Sequence, residues 1–511
     1  MQGVTRWISL IVASGLACAS AANLSRPNVV LIYGDDVGYA DVGVNGATQI
    51  DTPNIDQLAA GGLNFTDGHS SASTCTPSRY SLLTGVQAFR HNVRIAPPNE
   101  PLLIDPDAMT LPRLFKQAGY STGIVGKWHL GLGDKDTGPN WNGALKPGPL
   151  ELGFDSAFLL PTTNDRVPCV YVDGHHVVNL DPNDPIYVGD TLADVQIAGS
   201  TQYPDARKDS NEVFYKSIVN GIGRIGYMSG GQSALWDDYT STDVFVGKAR
   251  EFITEHRDQP FFLIYSAQDI HIPNAPNQRF KGATKLGSRG DAMVQLDWAV
   301  GAILEELERY GLSENTIVIF TSDNGPTHHD DSYPSTEKVE LYSPKSGNGH
   351  DASGPWRGGK YEIYEGSTRV PMVIRWPAKI QAGTSQATVN QIDYMASFAN
   401  LLNVELSADE GRDSRDALAA LLGEDATGSE LLIEEGRGVA LRMGDWKFIP
   451  AMAPKYARGF WPLEDCLYDL SKDVGEQNNL ILQYPEKAQS MSLRLKELKS
   501  SKSIRAYSQT H

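Results

Sequence analysis

Short apolar runs recur along the chain, and each is followed at once by polar residues suited to chemistry. Residues 29–33 precede Gly34-Asp35-Asp36, and residues 121–125 precede Gly126-Lys127-Trp128-His129. Residues 261–267 precede Asp269 and His271, and residues 316–321 precede Ser322-Asp323-Asn324-Gly325. Runs this short, rich in valine, isoleucine and phenylalanine, suit strands buried on both faces of a sheet. Helical patterns lie between them. Met293, Leu296, Val300, Ile303, Leu304 and Leu307 share one face across 291–310, with Gly311 as a stop. Phe245, Ala249, Phe252 and Ile253 make a second stripe before residue 261. This alternation predicts an α/β fold, a mostly parallel sheet covered by helices. Ligands bind such sheets outside the carboxyl ends of the strands, where all four polar clusters fall. One Asp, Asn and Gly cluster is an ordinary turn; four of them, each after a strand, point to a single converging site.

After Trp376 the pattern changes. Residues 393–402 give one more helical pattern, 407–427 are acidic and loop-like, and 439–449 resemble a strand pair turning at Gly444-Asp445. A smaller carboxyl-terminal α+β subdomain is therefore expected at 426–511, after a catalytic domain at 22–425. Residues 1–21 have the form of a signal peptide: Arg6, an apolar stretch over 7–17, then Ala19-Ser20-Ala21. A periplasmic or secreted protein is expected. Gly15-Leu16-Ala17 before Cys18 matches a lipid-anchoring motif poorly, and no later segment approaches the roughly 20 apolar residues of a membrane span.

The formal net charge of −18 supplies no global positive field for phosphates, which excludes sequence-independent nucleic-acid binding. An anionic substrate must be held by local cations. Of the four cysteines, Cys18 falls in the leader, leaving Cys75, Cys169 and Cys466. An odd number in an oxidising compartment gives at least one of them another fate; Cys169 and Cys466 are either buried thiols or one disulfide.

Cys75-Thr76-Pro77-Ser78-Arg79 is the most informative segment. Thr76 suits an N-cap and Pro77 the first helical position, which places Cys75 just before a helix whose amino end favours anions. The residues alone suggest a low-pKa thiolate beside an arginine that grips an oxyanion, as in a thiol phosphatase, although the usual Cys-to-Arg loop is longer.

With Leu83-Thr84-Gly85, that segment resembles the signature of the type I, formylglycine-dependent sulfatases. Gly126-Lys127-Trp128-His129-Leu130-Gly131 is similar to the family's second signature. Asp35-Asp36 with Gly38-Tyr39, residues 51–56, His271, residues 322–325, Arg357-Gly358-Gly359-Lys360 and Glu365-Gly366 match in order, from about residue 27 to 376, and Leu467-Tyr468-Asp469-Leu470 matches again. The resemblance implies an alkaline-phosphatase-like α/β/α sandwich and hydrolysis of sulfate esters. It implies oxidation of Cys75 to formylglycine by a separate generating enzyme, and one Ca2+ held by Asp35, Asp36, Asp323, Asn324 and the modified Cys75. Those hard oxygen donors suit calcium better than magnesium. Arg79, Lys127 and Lys360 would bind the formylglycine hydrate and the sulfate oxygens. His129 would assist release of sulfate, and His271 would protonate the leaving alcohol.

Within the segment 166–175, which is similar to carbohydrate sulfatases acting on galactose-type 6-sulfates, Asp173 and His175 are candidate substrate-binding residues for an axial hydroxyl. The preferred substrate is thus a glycan with galactose or N-acetylgalactosamine 6-O-sulfate; the other reading of Asp173-Gly174 is a plain hairpin turn. His328-His329-Asp330 is a solvated loop or a second metal site, and 224–236, with Gly226, Gly230 and Gly231, is a flexible loop. Alternatives are a phosphate or phosphonate ester hydrolase on the same scaffold and a catalytically silent protein that binds sulfated glycans.

Overall fold

The computed structural model describes residues 26–203, 216–327, 349–457 and 461–506. The expected leader, with Cys18, and His328-His329-Asp330 lie outside them.

The main sheet has ten strands: β1 (Asn28–Gly34), β2 (Leu63–Phe65), β3 (Ser121–Lys127), β4 (Ser156–Leu160), β5 (Val172–Asp173), β6 (His176–Val177), β7 (Phe261–Ser266), β8 (Thr316–Ser322), β9 (Met372–Arg375) and β10 (Gly383–Ser385). Their spatial order is β10-β2-β9-β8-β1-β7-β3-β4-β5-β6. The five in the middle, β8, β1, β7, β3 and β4, run parallel, with Val29 beside both Phe262 and Ile317. The four apolar runs are thus neighbouring parallel strands, and their carboxyl ends fall on one edge. Strand β9 is antiparallel to β8, and β5 to β4, which makes the sheet mixed at its flanks.

Seven helices matter here: α1 (Pro53–Ala60), α2 (Cys75–Thr84), α3 (Leu111–Gln117), α4 (Ser241–His256), α5 (Gly287–Arg309), α6 (Tyr394–Leu402) and α7 (Pro485–Ser500). Successive side chains of a strand point to opposite faces, and β7 shows what this does. Phe262 stacks on Phe115 of α3 with ring centroids 4.1 Å apart, while Phe261 meets Phe252 of α4 edge-on at 5.9 Å. Helices α1, α4 and α5 pack together, as do α2, α3 and α6, and the sheet lies between the two groups. The three layers enclose one continuous apolar core.

A separate antiparallel sheet follows: β11 (Leu431–Glu435), β12 (Val439–Met443), β13 (Trp446–Ile449) and β14 (Cys466–Asp469). Its turn between β12 and β13 uses Gly444 at φ 55°, a left-handed conformation that glycine adopts without strain. Leu441, Phe448 and Leu467 bury one face against Met491, Leu495 and Leu498 of α7. The other attachment is ionic. Lys447 Nζ lies 2.8 Å from Glu434, 3.2 Å from Glu365 and 3.4 Å from Glu476, and all four side chains are fully buried. Arg442 reaches Asp67 at 2.7 Å and Glu365 at 3.2 Å.

Two expectations change, and one left open between alternatives is decided. Arg224, in the glycine-rich stretch read as flexible, is fully buried and grips Asp238 through two bonds of 2.7 and 2.8 Å. Short strands at Ile222–Arg224 and Tyr227–Ser229 flank it, so the glycines serve tight turns rather than mobility. Cys169 and Cys466 are separate buried thiols, not a disulfide. The pair Asp173 and His175 belongs to the β5-β6 hairpin, whose turn points toward the amino end of β4: Asp173 is opposite Phe158, and Gly174 N–H donates to Ala157 O at 2.8 Å.

Among the described residues Lys447 is the one cation shared by Glu365, Glu434 and Glu476, and removing one partner of a buried ionic group leaves the others uncompensated. Lys447→Ala is expected to lower unfolding free energy by about 3–5 kcal/mol. Urea denaturation of the variant beside wild type measures this.

Candidate active site

The carboxyl edge of the parallel strands gathers the predicted residues. Asp35 and Asp36 follow β1, Lys127 ends β3, His271 follows β7, and Asp323 and Asn324 follow β8. All six are buried, as are Cys75, Arg79, His129 and Lys360. Helix α2 starts at Cys75 with Thr74 as its N-cap, two residues earlier than the Thr76 cap and Pro77 first position expected. Thr76 is occupied elsewhere: its hydroxyl donates to His129 O at 3.1 Å and accepts from Ala96 N–H at 3.1 Å. The helix start is thereby tied to the turn after β3. That turn needs Gly126, at φ 108°, where a Cβ would stand 2.0 Å from Ser266 O.

Charge pairing dominates the geometry. Lys127 Nζ donates to Asp35 Oδ2 at 2.5 Å and Lys360 Nζ lies 2.8 Å from Asp36 Oδ1. Arg79 Nε and Nη2 lie 2.9 and 2.8 Å from Asp323 Oδ2, and its Nη1 donates to Ser266 Oγ at 2.5 Å. Burial opposes ionisation of Asp35, but Lys127, with His271, Arg79 and Lys360 beyond it, holds its carboxyl well below the usual range. Asp36 is lowered likewise against burial, chiefly by Lys360. For Asp323 burial and the neighbouring Asp35 prevail over Arg79, and its carboxyl is pushed up to about 6.

The Cys75 thiol contradicts the thiolate expected from its place at a helix end. Burial pushes it up to about 12, and the nearby Asp323 and Asp35 oppose the help from Lys127 and Lys360. As a thiol it is protonated and a poor nucleophile.

The two histidines have assigned faces. His129 Nε2 lies 3.1 Å from Ala96 O, which requires the hydrogen on Nε2 and leaves Nδ1 a buried acceptor with no partner among the described residues. Burial, then Lys127 and Arg166, keep it neutral by lowering its pKa well below the ordinary value. His271 Nδ1 lies 2.6 Å from Ile272 O and 3.2 Å from Thr163 Oγ1, so Nε2 faces the carboxylates, 3.9 Å from Asp36 Oδ2. Sequence reasoning missed Thr163, Ser266, Ala96 O and Thr327, whose hydroxyl donates to Asp36 Oδ2 at 3.0 Å. These are backbone atoms and small hydroxyls with no motif of their own.

The site also has the chemistry of a cation holder. Asp35, Asp36, Cys75 and His271 each bring a donor atom within 4.8 Å of the others. Asn324 donates to Asp36 Oδ1 at 2.7 Å, yet its own buried Oδ1 has no partner among the described residues. A carbonyl oxygen left over among three carboxylates is what a hard divalent ion would satisfy.

Asp173 and His175 do not join this group. Asp173 is exposed on the hairpin and His175 Nε2 is 3.0 Å from Glu151 Oε1. Their turn heads away from the carboxyl edge, so they are withdrawn as substrate ligands. Asp269 is absent from the site too, buried against Thr242 and Gln295 at 2.7 and 2.8 Å.

Fold and site together define an esterase-type hydrolase for an anionic ester, built on an alkaline-phosphatase-like sandwich. The chain belongs to the sulfatase family, whose model matches residues 27–404, and it is a sulfuric ester hydrolase. An N-acetylgalactosamine-6-O-sulfatase of Bacteroides thetaiotaomicron is 43% identical over 490 residues, 94% of this chain and 94% of that protein. Arylsulfatase A of Homo sapiens is 31% identical over 502 residues, 94% of this chain and 87% of that protein. A solved sulfatase structure from work on the metabolism of multiple glycosaminoglycans by Bacteroides thetaiotaomicron agrees with a TM-score of 0.85 at 42% identity, covering 93% of this chain and 100% of that one.

The loop that carries Asp35 and Asp36 is pinned by Asp41, whose Oδ2 accepts from Gly38 N–H at 2.7 Å. Burial opposes the charge on Asp41, but Arg289 at 2.8 and 2.6 Å and His350 at 2.8 Å lower its carboxyl to about 2. An unfolded aspartate has a pKa of about 3.9. As pH falls from about 4 toward 2 the unfolded chain therefore takes up this proton first, and stability present above pH 4 is lost. The expected loss is about 2 kcal/mol. Urea titrations at a series of pH values should show this component in wild type and not in Asp41→Asn.

Proposed function

We propose that the protein removes sulfate from sulfated glycans, with galactose or N-acetylgalactosamine 6-O-sulfate as the substrate, using formylglycine made from Cys75 and one bound Ca2+. The observation that carries the chemistry is the buried arrangement around Cys75, in which a protonated, unreactive thiol lies among three cations, three carboxylates and His271. A thiol in that state gives the surroundings nothing to activate, whereas oxidation to an aldehyde would. The substrate reading rests on likeness to the N-acetylgalactosamine-6-O-sulfatase across nearly the whole of both chains. Export to the periplasm or exterior rests on residues 1–21, and maturation requires a formylglycine-generating enzyme.

When present, the formylglycine hydrate supplies the nucleophilic oxygen, and the calcium ion polarises that oxygen and the ester. Asp35, Asp36, Asp323 and Asn324 would hold the ion. The other work falls to the chain's own side chains. Lys127 and Lys360, already aimed into the site by their aspartate partners, bind the sulfate oxygens as fixed charges that need no reorganisation. Arg79 holds Asp323 in place and presents its remaining charge toward Cys75. His129, neutral and with Nδ1 unpartnered, accepts a proton in the site. His271, its Nδ1 anchored on Ile272 O, offers Nε2 to the leaving oxygen.

Four measurements test this. A mass spectrum of the Cys75 peptide should show the aldehyde in active preparations, and Cys75→Ala should remain folded and release no sulfate; near-normal turnover by that variant ends the formylglycine reading. Chelation should lower both activity and melting temperature, because Asp35, Asp36 and Asp323 lose a shared counter-ion, and added Ca2+ should restore both. His271→Ala should slow release from a sugar sulfate at least about a hundredfold and far less from an aryl sulfate, since a phenolate leaves with little help from an acid. Equal losses on the two substrates remove His271 from that role.

A further inference from the structure

Beside the nucleophile segment lies a cavity of about 460 Å³ that the chemistry described so far does not use. Thr74 and Pro77, on either side of Cys75 in the chain, form one wall, together with Tyr361, the neighbour of Lys360. The opposite wall is the β11-β12 turn of the carboxyl-terminal sheet, and Arg94, Arg437 and Lys499 line it from exposed positions on three separate segments. The wall is tied directly to the catalytic loop: Ser73 N–H donates to Glu435 O at 2.7 Å, and Tyr361 N–H donates to Ser73 O at 3.0 Å.

The charge of this cavity is opposite to that of the chain. Three cations converge on it in a protein of net charge −18. Arg94 donates to the neutral amide oxygen of Asn92 at 2.9 Å, which does nothing to cancel its charge. Glu435 is the one acidic side chain of the lining, and it is turned inward, buried, with Oε2 accepting from Phe89 N–H at 3.0 Å. Burial pushes that carboxyl up to about 8, so it offsets little of the positive charge at neutral pH. A concave wall focuses such a field more than a flat surface would, and the volume is within the range that holds a small ligand unit.

We propose that this cavity is a second anion subsite, in which Arg94, Arg437 and Lys499 take the carboxylate or sulfate of the sugar next to the one whose ester is cleaved. The assignment rests on the glycan-sulfatase reading above and adds to it a preference for chains that are charged on consecutive sugars. Arg94, Arg437 and Lys499 select substrate and do not touch the reacting atoms.

The test uses the full chain carrying Cys75→Ala, so that binding is read without turnover, with and without the triple change Arg94→Ala, Arg437→Ala and Lys499→Ala. Affinities are measured by calorimetry for four ligands: a 6-O-sulfated monosaccharide, a disaccharide in which the neighbouring sugar is a uronate, its counterpart with that carboxyl reduced to an alcohol, and its counterpart with a second sulfate there. The charged disaccharides are expected to bind about tenfold tighter than the reduced one, as a few partly screened ionic contacts would give. That preference should shrink with added salt. The triple variant should lose the preference and keep the monosaccharide affinity. A preference for one charged disaccharide alone identifies carboxylate or sulfate as the ligand. No preference in the parent, an unchanged preference in the variant, or an equal loss on the monosaccharide overturns the subsite. Sulfate release by the otherwise unaltered enzyme is scored separately: release without preference defeats only the subsite, and preference without release defeats only the sulfatase reading.

Discussion

The structure depends on holding Asp35, Asp36 and Asp323 ionisable side by side where no water reaches them. Parallel strands β1 and β8 are neighbours, so the residues that follow them are forced together at the carboxyl edge. Three like charges in that space would repel and take up protons. Lys127 and Lys360 prevent this at Asp35 and Asp36, while Arg79 only partly offsets it at Asp323, and the three cations come from different elements: the end of β3, the loop before residue 365, and helix α2. Much of the surrounding architecture follows from delivering those three cations. Gly126 lets β3 end against Ser266 so that Lys127 points inward, the Thr76 hydroxyl joins helix α2 to the same turn, and Ser266 receives Arg79 from below.

The carboxyl-terminal sheet extends that constraint. Lys360 lies in a loop that must be held rigidly, and Glu365, five residues on, is locked by Lys447, Arg442 and Arg369. Those ion pairs join the second sheet to the first through buried contacts that carry large penalties if broken. Strand β11 also bridges to Ala72, three residues before Cys75. The second sheet thus braces the segment that leads to Cys75 as well as serving as a stabilising attachment.

Much of this was legible in the sequence. The four apolar runs appear as β1, β3, β7 and β8, each a residue or two different in extent, because strands buried on both faces leave an uninterrupted signal. The cluster was legible for the related reason that each chemical group directly follows such a run. Local signals misled where burial and topology decide. A helix end alone predicts a low thiol pKa at Cys75, and only the three-dimensional neighbourhood shows that burial prevails. Asp173-Gly174 carried equal weight for a turn and for a ligand, and the direction of the hairpin, which no short segment encodes, settled it as a turn. Arg224 and its glycines looked mobile because its partner Asp238 is separated from it by the tract itself.

Counting charge explains how so acidic a chain can receive an anion at its centre. Three carboxylates against Arg79, Lys127 and Lys360 sum to zero, so the site without further ions has no net attraction for a sulfate ester. A divalent cation on the proposed oxygen donors would bring the total to +2. It would also release Lys127 and Lys360 from neutralising Asp35 and Asp36 alone, leaving their charge for the substrate. On that accounting the ion frees the charge of the lysines for sulfate, and ion and sulfate ester should bind in a mutually dependent way. The overall charge of −18 then matters little at the centre, because the relevant field is set within a Debye length of about 8 Å at physiological salt.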